Sequence, residues 1–423
     1  MGFKLKVVHL LACPLASGAG RAVETLHRGL LDTGIDSTLT GRLEKGLPSE
    51  LRAERLPLHD RLTTNLVHRA QRRLNRLRYG ADNDMGFLQI GSDFSRVRAF
   101  RAADIIHIQW ANSLSMGSRF WNQISVEKRP IVWTLRDMWP ITGGCHFNGD
   151  CRNFEKGCGG CPKLDSVTER ITTWDLNYKK SKLPDNLTFT AISDNFAREI
   201  RRAHALSGRE VRVIPNSVDV EKFSRIDPRR SRTALGLPTQ PLIISAGAVN
   251  IASPRKGAHI IERLLKRYST RKEVFWSLFG GNCEQLNLSG APNLKLFGMI
   301  SDDMELNSLY SGSDIFLMPS LQESFGKTTI EAMASGTPVI AFRDTPAEEM
   351  IVHGESGWLV THGDLEQFTA AVDSAMALDR NTLSDMGRAA RARAIQKYSL
   401  RTVVEQHIEL YSEKLEESKM LQA

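Results

Sequence analysis

The chain has 423 residues, more than one ordinary hydrophobic core organises, so two domains of about 200 residues are expected. Hydrophobic residues make up 41% and charged residues 25%, a balance that excludes intrinsic disorder. The formal net charge of +8 admits phosphate-bearing substrates, anionic lipid or nucleic acid, and by itself chooses none of them.

The first stretch, Lys4-Leu5-Lys6-Val7-Val8-His9-Leu10-Leu11-Ala12, has two lysines before an apolar run, as a leader peptide does. The run is short, contains His9 and flows into a glycine-containing turn, so a first buried strand is expected instead. No stretch approaches the apolar length of a membrane-spanning helix, and a cytoplasmic location is the expectation. From Ser17 a loop opens into a helix, where Gly18 and Gly20 allow a close approach of backbone to a ligand beside Arg21.

Arg61, Arg69, Arg72, Arg73, Arg76 and Arg78 follow in a segment with no acidic residue between Arg61 and Gly80. With Leu62, Leu66, Leu74 and Leu77 at partly helical spacing, it reads either as a basic amphipathic helix on an anionic membrane surface, at the inner face of the cell membrane, or as a solvated helix packed on its leucines. No aromatic residues interleave the basic ones as base-stacking requires, so nucleic acid is not an expected partner.

Residues 103–110 read as a buried strand that carries His107, either a functional group or a core histidine. Residues 131–140 give another strand and a loop where Arg136 and Asp137 pair with each other or meet a substrate. Four of the six cysteines come next: Cys145, Cys151, Cys158 and Cys161. The Cys158-Gly159-Gly160-Cys161 knuckle suits tetrahedral zinc, with His146 as a substitute ligand; the first half has no tight pair, so two disulfides or four free thiols stay open. Such an ion would staple a loop and take no part in chemistry.

A strand over 187–195 ends in helix-cap residues, and 211–219 closes a first domain of residues 1–217. The polar stretch 218–240 reads as a linker, and a second domain, 241–399, opens with a strand over 241–247. Arg255 and Lys256 stand before Gly257 at a helix start, where the dipole disfavours cations and makes them worth notice. Strands over 274–279 and 294–298, a helix over 302–310, a short hairpin over 354–360, a helix from Asp364 and a last helix over 400–419 complete the series.

Within that domain, an apolar run at 314–318, a helix-forming segment at 327–334, the stop Ser335-Gly336 and a second apolar run at 338–342 form strand, loop, helix, strand, the unit of a parallel α/β sheet. Glu323 falls in the loop and Glu331 about a turn into the helix, so both can line one crevice beyond the strand's carboxyl end. Carboxylates accept hydrogen bonds from vicinal hydroxyls while a helix N-terminus holds phosphate, the combination a sugar nucleotide requires.

The pattern Glu323-Ser324-Phe325-Gly326-x4-Glu331-Ala332-Met333-Ala334-x-Gly336-x-Pro338-Val339 resembles the E-x7-E signature of retaining glycosyltransferases of family four. The resemblance implies an α/β, GT-B fold: two Rossmann-like, doubly wound parallel-sheet domains facing a cleft, with the last helix packed back on the first. It implies transfer of a sugar from a nucleotide-sugar donor, held mainly by the second domain, to a hydroxyl of a glycan or lipid-linked acceptor, with retention, as in bacterial cell-surface polysaccharide synthesis. Glu331 would bind the ribose and Glu323 the sugar hydroxyls, with Phe325, Gly326 and Lys327 near the sugar or phosphates. Lys256 would neutralise the diphosphate, and Arg255 would stand in for an arginine the family often has where Val249 and Asn250 occur here. Gly18 and Gly20 match the family's first glycine-rich loop, residues 215–219 its Pro-Asn-Gly-Val-Asp turn with Ser217 for glycine, and residues 298–300 its base-binding loop. His107 takes the first of two family histidines near the anomeric centre, with Gln109 at the second. Glu323, His107 and Lys256 are thus the expected catalytic set. No acidic DxD cluster ends a strand, so no catalytic cofactor is expected, and Lys256, Arg255 and the helix N-terminus would offset the leaving charge. A catalytically idle sugar- or lipid-binding scaffold and a sugar-nucleotide epimerase or phosphorylase of the same fold remain the rival readings.

Overall fold

The computed structural model describes residues 4–41, 43–58, 62, 66, 69–70, 73, 85–87, 90–110, 116–164, 170–288, 291 and 293–422. The expected basic helix lies outside these residues except at the five positions between 62 and 73. The chain divides into two compact units, residues 1–214 with 404–423, and residues 215–403.

The first unit is built on β1 (Lys6–Leu11), β2 (Asp36–Gly41), β3 (Ala53–Arg55), β4 (Ile105–Trp110), β5 (Ile131–Leu135), β6 (Leu187–Ala191) and β7 (Val211–Val213). They form one sheet in the order β3-β2-β1-β4-β5-β6-β7, with every pair parallel. A parallel sheet is covered on both faces by its crossovers, so its strands are apolar runs without alternation. Hence β5, Ile-Val-Trp-Thr-Leu, is buried at every position. Among the described crossovers are α1 (Gly18–Asp32), α2 (Arg98–Ala102), α3 (Ser118–Ile124), α4 (Arg170–Ser181) and α5 (Asp194–Ile200). Val23, Leu26 and Leu30 of α1 recur at helical spacing and are buried, while the Ser17 hydroxyl caps its start.

The second unit carries β8 (Leu242–Asn250), β9 (Val274–Gly281), β10 (Leu294–Gly298), β11 (Ile315–Met318), β12 (Val339–Phe342) and β13 (Gly357–Val360), ordered β10-β9-β8-β11-β12-β13 and again all parallel. Its helices are α6 (Pro228–Ala234), α7 (Ala258–Arg267), α8 (Asp303–Gly312), α9 (Lys327–Ala334), α10 (Ala347–Met350), α11 (Leu365–Met376) and α12 (Arg380–Tyr398). The last helix, α13 (Leu400–Gln422), contributes its residues from Val404 onward to the first unit. Strand order reverses direction between β8 and β11, the switch point where an open α/β sheet leaves a crevice at its carboxyl ends.

Two expectations are corrected. The 218–240 stretch is no free linker: Asp227 caps α6 within it, and buried Arg232 is held by Asp314 at 2.7 Å and the Gly312 carbonyl at 2.8 Å. Residues 354–360 form no hairpin, because β13 pairs parallel with β12. Gly357 permits that contact, since a Cβ there would lie 2.2 Å from the Val339 carbonyl oxygen.

Candidate active site

The switch point of the second unit is made by two loops, one from β8 to α7 and one from β11 to α9. They touch at Gly257, whose φ of 76° is left-handed and whose missing Cβ would otherwise sit 2.1 Å from the Pro319 carbonyl oxygen. The amide of Leu321 donates to the Arg255 carbonyl at 2.9 Å, and the Arg255 guanidinium donates back to the Gln322 carbonyl at 2.7 Å. This lacing delivers Arg255 and Lys256 to Glu323. The Lys256 ammonium forms a close ion pair with one oxygen of Glu323, and Arg255 lies 3.8 Å from the other. All three side chains are less than a third exposed, so the pairing is only partly screened by water.

Glu331 lies a turn into α9 and is 4% exposed. Lys327 pairs with it at 3.2 Å, and the Tyr310 hydroxyl donates to its other oxygen at 3.3 Å. Tyr310 is itself fixed by edge contacts with Phe279 and Phe316, at ring separations of 5.7 and 5.3 Å. Sequence reasoning missed it: the tyrosine comes from α8, and only the fold places it beside α9. Phe325 is buried in an edge-on contact with Tyr398, and Gly326 takes φ 87° at the start of α9. Thus each glutamate of the motif is paired with cations, and Glu323, Glu331, Arg255, Lys256, Lys327, Phe325 and Gly326 all belong to the two loops and the first turns of α9.

The first unit treats its expected residues differently. Gly18 has open space around its Cα, whereas a Cβ on Gly20 would strike the Pro14 carbonyl oxygen at 2.1 Å. The Gly20 amide donates to Ser17 at 3.0 Å, so this glycine serves the packing of α1. His107 is wholly buried, its Nδ1 hydrogen-bonded to the Tyr411 hydroxyl at 2.6 Å and its Nε2 to Thr134 at 2.7 Å. Both of its nitrogens are occupied, the arrangement of a satisfied core histidine. Gln109 is buried beside it, linked to His9 at 3.0 Å and accepting from Arg136 at 2.7 Å. Burial, reinforced by neighbouring His9, His407 and Arg136, holds His107 well below the usual imidazole range. Asp137 accepts from the Trp110 indole at 2.7 Å and pairs with His146 at 2.8 Å.

The four clustered cysteines line one small cavity with Thr142, Gly143 and Phe154. All are free thiols, and burial pushes Cys145 up to about 11 and Cys158 to about 12. Among the described residues no three His, Cys, Asp or Glu side chains are arranged to hold an ion as they stand. Among the same residues, no helix is long and apolar enough to cross a membrane.

Comparison with known proteins matches the family Glycosyltransferase Family 4 over residues 16–222 and the family Glycosyl transferases group 1 over residues 230–393. The chain is 28% identical over 212 residues to sulfoquinovosyl transferase SQD2 of Arabidopsis thaliana, covering 48% of this chain and 40% of that one. It is 26% identical over 241 residues to the capsular polysaccharide biosynthesis glycosyltransferase CapM of Staphylococcus aureus, covering 54% and 62%. The matched segments therefore span roughly half the length of these relatives. Among solved structures, Anabaena Alr3699/HepE in complex with UDP-glucose superposes with a TM-score of 0.64 at 18% identity, over 97% of this chain and 100% of that one. Strands β2 to β7 of the first unit fall under one family match and the E-x7-E loop and helix under the other, and on that footing the chain belongs to the family-four glycosyltransferases with the GT-B fold.

Proposed function

We propose that this chain moves a sugar from a nucleotide-sugar donor to a hydroxyl of a glycan or lipid-linked acceptor, with retention of anomeric configuration. The observation that carries the reading is the cation pairing of both motif glutamates at the switch point of the second unit. Glu331, buried beside Tyr310, offers an oriented carboxylate to the vicinal hydroxyls of a ribose. Glu323 does the same for the sugar, while Lys256, Arg255 and the first amides of α9 offset the charge that grows on the leaving diphosphate. Positioning and charge stabilisation supply the catalysis, with the sugar passing through an oxocarbenium-like state on one face.

The solved neighbour that holds UDP-glucose supports a nucleotide sugar as donor, and the capsular polysaccharide relative supports a cell-surface glycan as product. An acceptor on a lipid carrier agrees with the basic stretch, where Leu62 and Leu66 are 54% and 66% exposed.

The test is nucleoside diphosphate release from a panel of sugar nucleotides by the wild type, Glu331→Ala and Lys256→Ala. Release with one preferred donor, falling on the order of a hundredfold or more in both variants, is expected. Nucleotide binding without release from any donor, acceptor glycan included, would favour the binding scaffold. Loss of nucleotide binding in the wild type itself would end the sugar-nucleotide reading.

A further inference from the structure

We propose that Cys145, Cys151, Cys158 and Cys161 form a zinc site that staples the long loop following β5. The four thiols occur within seventeen residues and face one cavity, whereas Cys13 and Cys283 are elsewhere. From Thr142 to Leu164 the only regular element is a single helical turn, Asn153–Glu155, yet Phe154 in that turn is 1% exposed. A long irregular segment inside a compact domain needs a tie that its own backbone does not supply.

One sulfur of the cluster already has a backbone donor. The Gly143 amide donates to the Cys158 sulfur at 3.2 Å, and the Leu164 amide donates to the Cys161 carbonyl at 3.2 Å, closing the turn after that cysteine. A backbone donor on a cysteine sulfur orients it and supports its charge, as the outer shell of a metal ligand does. Cys158 and Gly160 take left-handed φ of 61° and 63° within the Cys-Gly-Gly-Cys segment, and Cys158 and Cys161 line the same cavity.

The four cysteines share a cavity but no three of them hold an ion as they stand, so the site requires their side chains to turn onto the ion on loading. Each of the four thiols gives up its proton to solvent as its sulfur–zinc bond forms, and no oxidant or reductant takes part. An all-sulfur tetrahedral set selects zinc or an iron–sulfur cluster over harder cations. Zinc closes structural four-cysteine sites without redox chemistry, and zinc is the ion assigned.

The proposal rests on the wild-type chain, since a cysteine variant can fail to fold. Elemental analysis of the full-length protein purified without chelator should give roughly one zinc per chain. Replacement by cobalt should give the charge-transfer and visible bands of tetrahedral thiolate coordination. The cluster thiols should resist a disulfide reagent until a chelator is added. Cys283→Ser should leave the cobalt spectrum unchanged, and Cys161→Ser should shift or abolish it. Metal-free protein with no cobalt spectrum, iron in place of zinc, a denatured thiol count four short, or zinc kept unchanged in Cys161→Ser would each overturn the assignment.

Discussion

Glu323 stands where two demands meet. Its carboxylate pairs with Lys256 and Arg255, the cations proposed above to meet the donor diphosphate. On that proposal carboxylate and diphosphate compete. Glu323→Gln keeps the shape and removes the competing charge, so nucleoside diphosphate should bind about fivefold more tightly, the worth of a partly exposed ion pair of about 1 kcal/mol. Transfer should meanwhile fall on the order of a hundredfold, because the sugar loses its charged acceptor. Calorimetric titration beside turnover separates the two, and weaker diphosphate binding by the variant would contradict the competition. Tyr310 tests the other glutamate: Tyr310→Phe should weaken nucleotide binding by about tenfold, a charge-assisted hydrogen bond lost near its long limit, with the fold intact by circular dichroism. The glutamates were legible because their eight-residue spacing is a local property. Tyr310 was not, because its aromatic seat is on two strands and its hydrogen bond reaches a neighbouring helix, α9.

Among the elements, the two switch-point loops depend on one missing side chain. Gly257 combines a left-handed φ with a Cβ position 2.1 Å from the Pro319 carbonyl oxygen. Gly257→Ala therefore adds backbone strain to a clash with rigid backbone, and should cost about 1–3 kcal/mol or more of stability. The consequence reaches function, because the displaced loop carries Arg255 and Lys256 away from Glu323. Gly354→Ala is the matched comparison: φ is 80° but nothing lies within 4 Å of the new Cβ. It should show the strain alone, about 1 kcal/mol, and bind nucleotide as the wild type does. Thermal unfolding and nucleotide titration of the pair distinguish clash from strain, and equal behaviour would remove Gly257 from the account. The α9 segment was readable from composition and its Ser335-Gly336 stop, and it runs over the residues expected. The 354–360 segment reads as a hairpin because Gly-Glu-Ser-Gly is a turn signature, and local sequence does not say which strand pairs with the next. The helix α6 was hidden for a related reason: Arg232 looks like surface until Asp314, over eighty positions away, is folded against it.

Across the chain as a whole, the largest feature the sequence left unread is the histidine network of the first unit. His9 and His107 were visible as polar residues inside apolar strands, but their adjacency follows from the register of β1 against β4, and Tyr411 arrives from α13, more than three hundred positions later. The network has a thermodynamic consequence. Burial, with neighbouring histidines and Arg136 adding to it, holds His9 and His107 well below the usual imidazole range, and burial lowers His27 to about 4. These groups are neutral in the folded chain, while in the unfolded chain they take up a proton near pH 6.5. Above that value both states bind the same number of protons and stability does not depend on these groups; below it the unfolded state binds more, so stability falls as pH falls. For His27 alone the loss amounts to on the order of 3 kcal/mol between about pH 6.5 and about pH 4. Urea unfolding of the full chain should therefore show a free energy that declines with acidity across this window, each histidine adding a slope of up to about 1.4 kcal/mol per pH unit. Substitution of His27 by Gln, which keeps a polar group near Ser37 and the Leu51 carbonyl, should flatten the decline by one histidine's share even where it lowers stability near neutral pH. A wild-type profile without slope below about pH 6.5, or a His27→Gln profile parallel to it, would show that these imidazoles are not held neutral by the fold.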